Sequence, residues 1–229
     1  YVNILIEITT YLVTGAIVGF AAGLLGIGGG LLIVPVLSTA FIYFLNVPEV
    51  VHLAIGTSLA TIVVTSFSSV RAHHGHGAVQ WDAFKLLAAG TLFGAFLGGW
   101  SSQFVSSDLL GKIFGILEIL IAINMLLALK TSPTRQLPGL VGNTVAGTAI
   151  GGFSSLIGIG GGTLTTPYLT WNNISMHKAI ATSTAVSLPV AIAGTIGYLF
   201  AGLDAENLPA YATGYIYWPA FFGIVLASY

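Results

Sequence analysis

The run Gly26-Ile27-Gly28-Gly29-Gly30 recurs letter for letter as Gly158-Ile159-Gly160-Gly161-Gly162, at an offset of 132. Each copy is followed by a proline at the same distance, Pro35 and Pro167. A glycine inside a helix costs about 1 kcal/mol relative to alanine, so no helix runs through four of them. The helix that starts after each run presents unpaired backbone N–H groups and the positive end of its dipole, which together attract anions. A carboxylate, sulfonate or sulfite can rest on Gly28, Gly29 and Gly30, or on Gly160, Gly161 and Gly162, without a buried cation. Glycine also lets a ligand approach the backbone closely. Tight helix packing or a plain turn is the competing explanation, and two matched copies favour a site over it.

Hydroxyls and titratable groups fall near the same places. Thr57-Ser58 and Thr182-Ser183 lie one to two turns into apolar stretches, where their hydroxyls can line a polar cavity and bond an oxyanion. Bonding to their own helix carbonyls is the equally weighted alternative. Thr163, Thr165 and Thr166 follow the second glycine run, where the first has Leu31, Ile33 and Val34, so any site is chemically lopsided. His52 and His177 open matched segments and suit a proton relay, an anion ligand or a plain surface cap. Glu118 lies mid-way along an apolar stretch, where a carboxylate costs at least ~2.5–3.5 kcal/mol. It is therefore protonated, partnered or facing a cavity, with proton coupling as its functional reading. His73, His74 and His76 stand beside Arg71 without a recognised metal-ligand spacing, and no metal is expected. Trp81, Trp100, Trp171 and Trp218 sit at the ends of apolar stretches and read as membrane-interface anchors.

The elements that must position these groups are membrane helices. Only six Lys or Arg and seven Asp or Glu occur in 229 residues, and 55% of the chain is apolar. A soluble domain carries roughly 25% charged residues. Apolar runs such as Ile4 to Leu25, Leu86 to Phe104 and Ile113 to Leu129 approach the roughly 20 residues that span a bilayer. The fold class is all-α and polytopic. Helices are expected at Asn3–Leu25, Leu31–Leu45 (short), His52–Arg71, Trp81–Phe104, Leu109–Leu129, Leu140–Ile157, Thr163–Trp171 (short), His177–Ala201 and from near Tyr215 onward. With no cysteine, disulfides, thiol catalysis and Cys-ligated metals are excluded. A net charge of −1 carries no nucleic-acid signal. No phosphate-binding Gly-Lys-Ser/Thr loop or Ser-His-Asp order occurs, no enzyme is specified, and no cofactor is expected.

Duplication reaches beyond the glycines. His52–Ala60 matches His177–Ala185 at six of nine places with an offset of 125, and Trp81–Phe84 matches Trp218–Phe221 with an offset of 137. The chain divides into a first helical repeat, 1–130, a linker, 131–138, and a second repeat, 139–229. The sequence stops soon after Trp218, at Tyr229. A natural chain longer by about one and a half helices, or a genuinely shorter second half, is expected. If all nine elements cross, Arg71, Lys85, Lys130, Arg135 and Lys178 share one side and Lys112 lies on the other. That bias places the N-terminus, Asp204 and Glu206 outside. If the two short elements are re-entrant, four basic residues face two. Five crossings between the glycine runs, an odd number, make the halves inverted about an axis in the membrane plane.

The glycine runs with their prolines, the Ala54-Ile55-Gly56-Thr57-Ser58-Leu59-Ala60 segment, their second copies, and the Arg71…Gly77-Ala78-Val79-Gln80-Trp81 stretch resemble the sulfite exporter TauE/SafE family. The resemblance covers most of the chain and implies a secondary transporter of the cytoplasmic (inner) membrane for sulfite, organosulfonates or related small organic acids. Its carry-over is limited to Gly26–Gly30, Gly158–Gly162, Thr57, Ser58, Thr182 and Ser183. Alternating access between two halves, with Arg71 guiding anions and Glu118 or a histidine coupling protons, is the expected mechanism. An anion channel is the first alternative. A membrane-embedded enzyme is the second, with Glu118 and His177 as its sole acid/base pair. The expected partners are a small anionic substrate and the lipid bilayer, with no nucleic acid; a homodimer is compatible with this reading.

Overall fold

A computed structural model describes residues 2–25, 29–45, 47–75, 77–126, 137–206 and 208–228. The chain folds into α1 (Val2–Leu25), α2 (Gly30–Phe44), α3 (Val50–Gly75), α4 (Trp81–Ser101, extended by a 3-10 turn over Ser102–Phe104) and α5 (Ser107–Leu126). After these come α6 (Leu140–Ile157), α7 (Gly162–Trp171), α8 (Met176–Ala201), a hairpin of β1 (Ala212–Thr213) and β2 (Ile216–Tyr217), and α9 (Trp218–Ser228). The helices expected from sequence are present within a few residues of their bounds. The last one starts at Trp218, because Tyr215–Tyr217 turn through the hairpin, whose register pairs Ala212 with Tyr217 and Thr213 with Ile216. Gly26–Gly28, His76, Lys130 and the linker positions 131–136, with Arg135, lie outside the described residues.

Among the described residues, four helices are long and apolar enough to cross a membrane: α3, α4 with its 3-10 extension, α6 and α8. At ten residues, α7 is only ~15 Å long, about half the hydrocarbon thickness. Large apolar side chains face outward, Phe20 at 72%, Phe93 at 60% and Ile119 at 61% exposure, whereas Thr57, Ser58, Thr61, Asn143, Thr182 and Ser183 are fully buried. This inverts the soluble pattern: lipid is as apolar as leucine, so burial of leucine does not hold the helices together. Close backbone packing and hydrogen bonds do.

The packing seams make this concrete. A methyl group built on Gly15 of α1 would strike the Ile224 carbonyl of α9, and one on Gly19 would lie 2.7 Å from the Ser228 carbonyl. One on Gly147 of α6 would lie 2.8 Å from the Leu87 carbonyl of α4, and one on Gly151 would strike that of Thr91. Gly147 and Gly151 stand to Gly15 and Gly19 at the offset of the two glycine runs, 132. Ile224 and Ser228 stand to Leu87 and Thr91 at the offset of the two Trp motifs, 137. The same contacts therefore recur at the two offsets read from the sequence. In both seams the residue numbers rise together, so each pair of helices runs parallel.

The segments leading into α4 and α9 repeat as well. Gly77 (φ 65°) and Gly214 (φ 53°) occupy the left-handed region that glycine tolerates at no steric cost. After them, Ala78-Val79 and Tyr215-Ile216 turn inward and are buried. The next residue in each segment donates its backbone N–H to a threonine of the matched pair: Gln80 to Thr182 Oγ1 (2.9 Å) and Tyr217 to Thr57 Oγ1 (2.9 Å).

Candidate functional site

The two glycine breaks meet. A methyl group on Gly30 would strike the Gly158 carbonyl and lie 2.8 Å from the Ile159 Cα, so only glycine permits this approach. Ser58 donates its hydroxyl to the Gly158 carbonyl at 3.1 Å, tying α3 of the first half to the second break. Gly158 ends α6 in a Schellman turn. Its N–H reaches the Ser155 carbonyl (3.1 Å), the N–H of Ile159 reaches that of Ser154 (3.1 Å), and its φ of 75° is the left-handed value the motif requires. Gly160 (φ 67°) and Gly161 (φ 80°) continue the left-handed path, and the Gly161 carbonyl accepts the Thr165 N–H at 2.9 Å to open α7. Gly29 plays the equivalent part for α2, its carbonyl accepting from Leu32 (3.1 Å) and Ile33 (3.0 Å).

The hydroxyls divide by role. Thr57 and Thr182 each accept a backbone N–H from the segment ahead of α9 or α4, so their oxygens hold those segments in place while the O–H hydrogens remain to donate. Ser183 bonds the Ile180 carbonyl (2.9 Å) and meets the Thr166 hydroxyl at 2.7 Å, and Thr166 also bonds the Gly162 carbonyl (2.9 Å). Thr163 lies half-buried in the first turn of α7. Three hydroxyls near the second break, those of Ser154, Ser155 and Thr165, are buried without a hydrogen-bond partner among the described residues. Buried polar groups are normally paired, so these three mark a place where a donor or acceptor is wanted. Ser154 and Ser155 were missed from sequence, since serines near the end of an apolar helix carry no signal of their own.

The remaining candidates are dispersed. His52 is buried at 1% exposure. Its Nε2 lies 3.0 Å from the Ser102 carbonyl and its Nδ1 lies 3.0 Å from Glu49 Oε2, and its ring packs on Tyr215 at 4.8 Å. His177, its sequence match, is exposed on the first turn of α8. Glu118 is half-buried within α5, and Arg71 is exposed at the end of α3. His74 is exposed and accepts the Trp81 indole N–H (3.3 Å). Two open apolar grooves, each about 570 Å³, run between α1 and α2 and are lined by residues such as Thr10, Val13, Val36 and Tyr43. Neither is lined by the glycine breaks or the Thr-Ser pairs.

The model of the family described as "Sulfite exporter TauE/SafE" matches residues 11–229. The chain belongs to that family. A "Probable membrane transporter protein" of Haemophilus influenzae is 37% identical over 222 residues, 95% of this chain and 83% of the relative. One from Methanocaldococcus jannaschii is 33% identical over 208 residues, 90% of this chain and 74% of the relative. "Probable membrane transporter protein YunE" of Bacillus subtilis is 30% identical over 215 residues, 83% of this chain and 77% of the relative. No solved structure matches. The matched region contains both Thr-Ser pairs, both buried segments and the contact between Gly30 and Gly158. These features therefore lie within the region that the chain shares with relatives named as probable membrane transporter proteins.

Proposed function

We propose that this chain is a secondary transporter that moves small oxyanions, such as sulfite, organosulfonates or related organic acids, across the cytoplasmic membrane by alternating access. The observation that carries the reading is the contact of the two glycine breaks, Gly30 on Gly158, with the Ser58 hydroxyl on the Gly158 carbonyl. The substrate binds beside this contact. Backbone N–H groups at the starts of α2 and α7 and the hydroxyls of Thr57 and Thr182 offer donors without a buried cation, and Ser58, Ser183 and Thr163 stand beside them. The unpaired hydroxyls of Ser154, Ser155 and Thr165 support the second break as the wetter half of the site.

The two halves, 1–130 and 139–229, act as inverted repeats joined by 131–138. The recurrence of the glycine seams and threonine bonds at fixed offsets supports this. Because the breaks touch, they lie at one depth. In this reading α1–α2 and α6–α7 are re-entrant pairs, each entering and leaving on its own side. The N-terminus and the segment 202–217 then face outside, and Arg71, Lys85 and Lys178 face inside, which keeps the positive-inside bias. Exposed Arg71 adds an attractive field for anions at the inner mouth.

The test is radiolabelled sulfite flux in proteoliposomes. Saturable uptake with counterflow supports a carrier, and current that does not saturate with sulfite indicates a channel. Should Ser58→Ala and Ser183→Ala both leave the flux unchanged, the hydroxyl assignment is wrong.

A further inference from the structure

We infer that Glu7, a residue no part of the anion site uses, is a proton-binding group that couples protonation to the position of the hairpin ahead of α9; this rests on the transporter reading. Tyr11 and Tyr217 both donate their hydroxyls to the Oε1 atom of Glu7, at 2.9 and 3.0 Å. Tyr11 comes from the next turn of the same helix, and Tyr217 comes from β2, near the other end of the chain. Their rings pack edge to face on each other (6.4 Å) and on Phe41 (6.4 and 5.4 Å), which fixes both hydroxyls. Tyr11 and Tyr217 are buried, at 1% and 6% exposure, and Glu7 is half-buried. Two donors on one oxygen are the arrangement that stabilises an ionised carboxylate, and they leave Oε2 to take up a proton.

No cation shares this work. Residues 1–70 and 179–229 contain no Lys or Arg, so α1, α2, the hairpin and α9 carry none. The titratable groups on the elements around Glu7 are Tyr11 on its own helix, the exposed Tyr43 on α2, and Tyr211, Tyr215 and Tyr217 of the hairpin segment. The His52–Glu49 pair lies behind Tyr215. Helix α9 has none. Burial first, then Glu7, raises the affinity of the Tyr217 phenol for its proton, so that group stays a donor.

The same strand residue carries the coupling. Tyr217 gives its side-chain O–H to Glu7 and its backbone N–H to Thr57, next to Ser58 and the glycine contact. When the hairpin leaves α1, the carboxylate loses a donor and has no cation to replace it. In the state open to the outside one proton then binds Oε2 and gives a neutral carboxyl; the hairpin returns as the inside opens, and the proton leaves to the inside. Binding and movement are linked in both directions. In the second half, at the offset of the glycine runs, the position that corresponds to Glu7 is Gly139 and the one that corresponds to Tyr11 is Asn143. Its Oδ1 accepts the Tyr168 hydroxyl at 2.8 Å, and an amide cannot titrate. Proton binding therefore has a sidedness that the duplicated scaffold alone lacks.

The experiment uses the full chain in proteoliposomes, with sulfite as probe and infrared titration of carboxyl groups as a transport-independent readout. Glu7→Gln is expected to lose pH-gradient-driven sulfite accumulation about tenfold or more while keeping sulfite exchange without a gradient. It also loses one titrating carboxyl band. Tyr217→Phe is expected to move the midpoint of that band upward by about one pH unit. Accumulation by Glu7→Gln at the level of the unaltered chain overturns the inference, as does loss of both accumulation and the band in Glu118→Gln instead. If Glu7→Gln does not fold, the Tyr217→Phe midpoint decides, and an unmoved midpoint rejects Glu7. If the unaltered chain moves no sulfite, the transport reading fails for that anion, and the infrared arm still judges Glu7.

Discussion

Two seams of the molecule are built to one plan and filled with different chemistry. In the first, α1 lies along α9 through Gly15 and Gly19; in the second, α6 lies along α4 through Gly147 and Gly151. Each is entered by a buried segment whose backbone N–H is held by a threonine, Thr57 or Thr182. Beside the first seam stand a carboxylate and two phenols, Glu7, Tyr11 and Tyr217. Beside the second stand an amide and one phenol, Asn143 and Tyr168. The glycine breaks differ in the opposite sense: Leu31, Ile33 and Val34 follow the first, and Thr163, Thr165 and Thr166 follow the second. Duplication thus supplies the frame, because backbone packing is indifferent to the groups beside it. Divergence then makes the two halves chemically unequal, with a carboxylate beside the first seam and hydroxyls after the second glycine break.

Substitutions at the seams give the largest expected effect. Gly15→Leu and Gly151→Leu each drive a side chain into a partner carbonyl. Each should cost at least ~3 kcal/mol and abolish monodisperse protein in detergent, measured by size-exclusion chromatography. Tolerance of one and not the other would show that the seams are not equivalent in energy. Thr57→Val and Thr182→Val each orphan a backbone N–H, buried at Tyr217 and half-buried at Gln80, and each should lower stability by about 1–3 kcal/mol in a detergent melt. Unequal losses would mean that one entering segment is held by more than its threonine.

The chemical difference can be altered directly. Asn143→Asp puts an acid into the neutral seam, buried beside the Pro138 and Gly139 carbonyls. The acid loses the side-chain N–H that those carbonyls accept and sets its own oxygen against them. The variant should lose roughly 1–3 kcal/mol of stability in a detergent melt. A melt equal to that of the unaltered chain would show that solvent reaches the position. The smallest effect is expected from Lys112→Gln, which breaks an exposed pair with Asp108 (2.7 Å) at the start of α5. A change within about 0.5 kcal/mol would separate surface charge from the buried groups that distinguish the seams.

Much of the frame was legible in the chain. Composition required a lipid solvent, and the glycine runs, the His–Thr-Ser segments and the paired Trp motifs marked the duplication at the offsets where equivalent contacts now appear. The helices of α3, α6 and α8 follow from apolar length alone. The site was legible in part. Thr57, Ser58, Thr182 and Ser183 lie about two turns into α3 and α8 and are fully buried, and Thr57 and Thr182 hold backbone segments, a role that no sequence pattern announces. His52 and His177 match in sequence and part in structure, one buried against Tyr215 and the other exposed. Glu118 is conspicuous as an acid in mid-helix, while Glu7, near the start of its helix, reads as an ordinary terminal residue.

Sequence by itself determined the solvent, the helices, the repeat and the places where helices must break, because these depend on local composition and on period. Tertiary structure alone decided which residues act together. The Gly30 contact with Gly158 joins the two halves of the chain and depends on two backbones fitting without a Cβ between them. The Glu7 pairing with Tyr217 joins its two ends and depends on where a hairpin turns. Close approach between distant segments leaves no local pattern, since each partner is chosen by the space that the other helices leave.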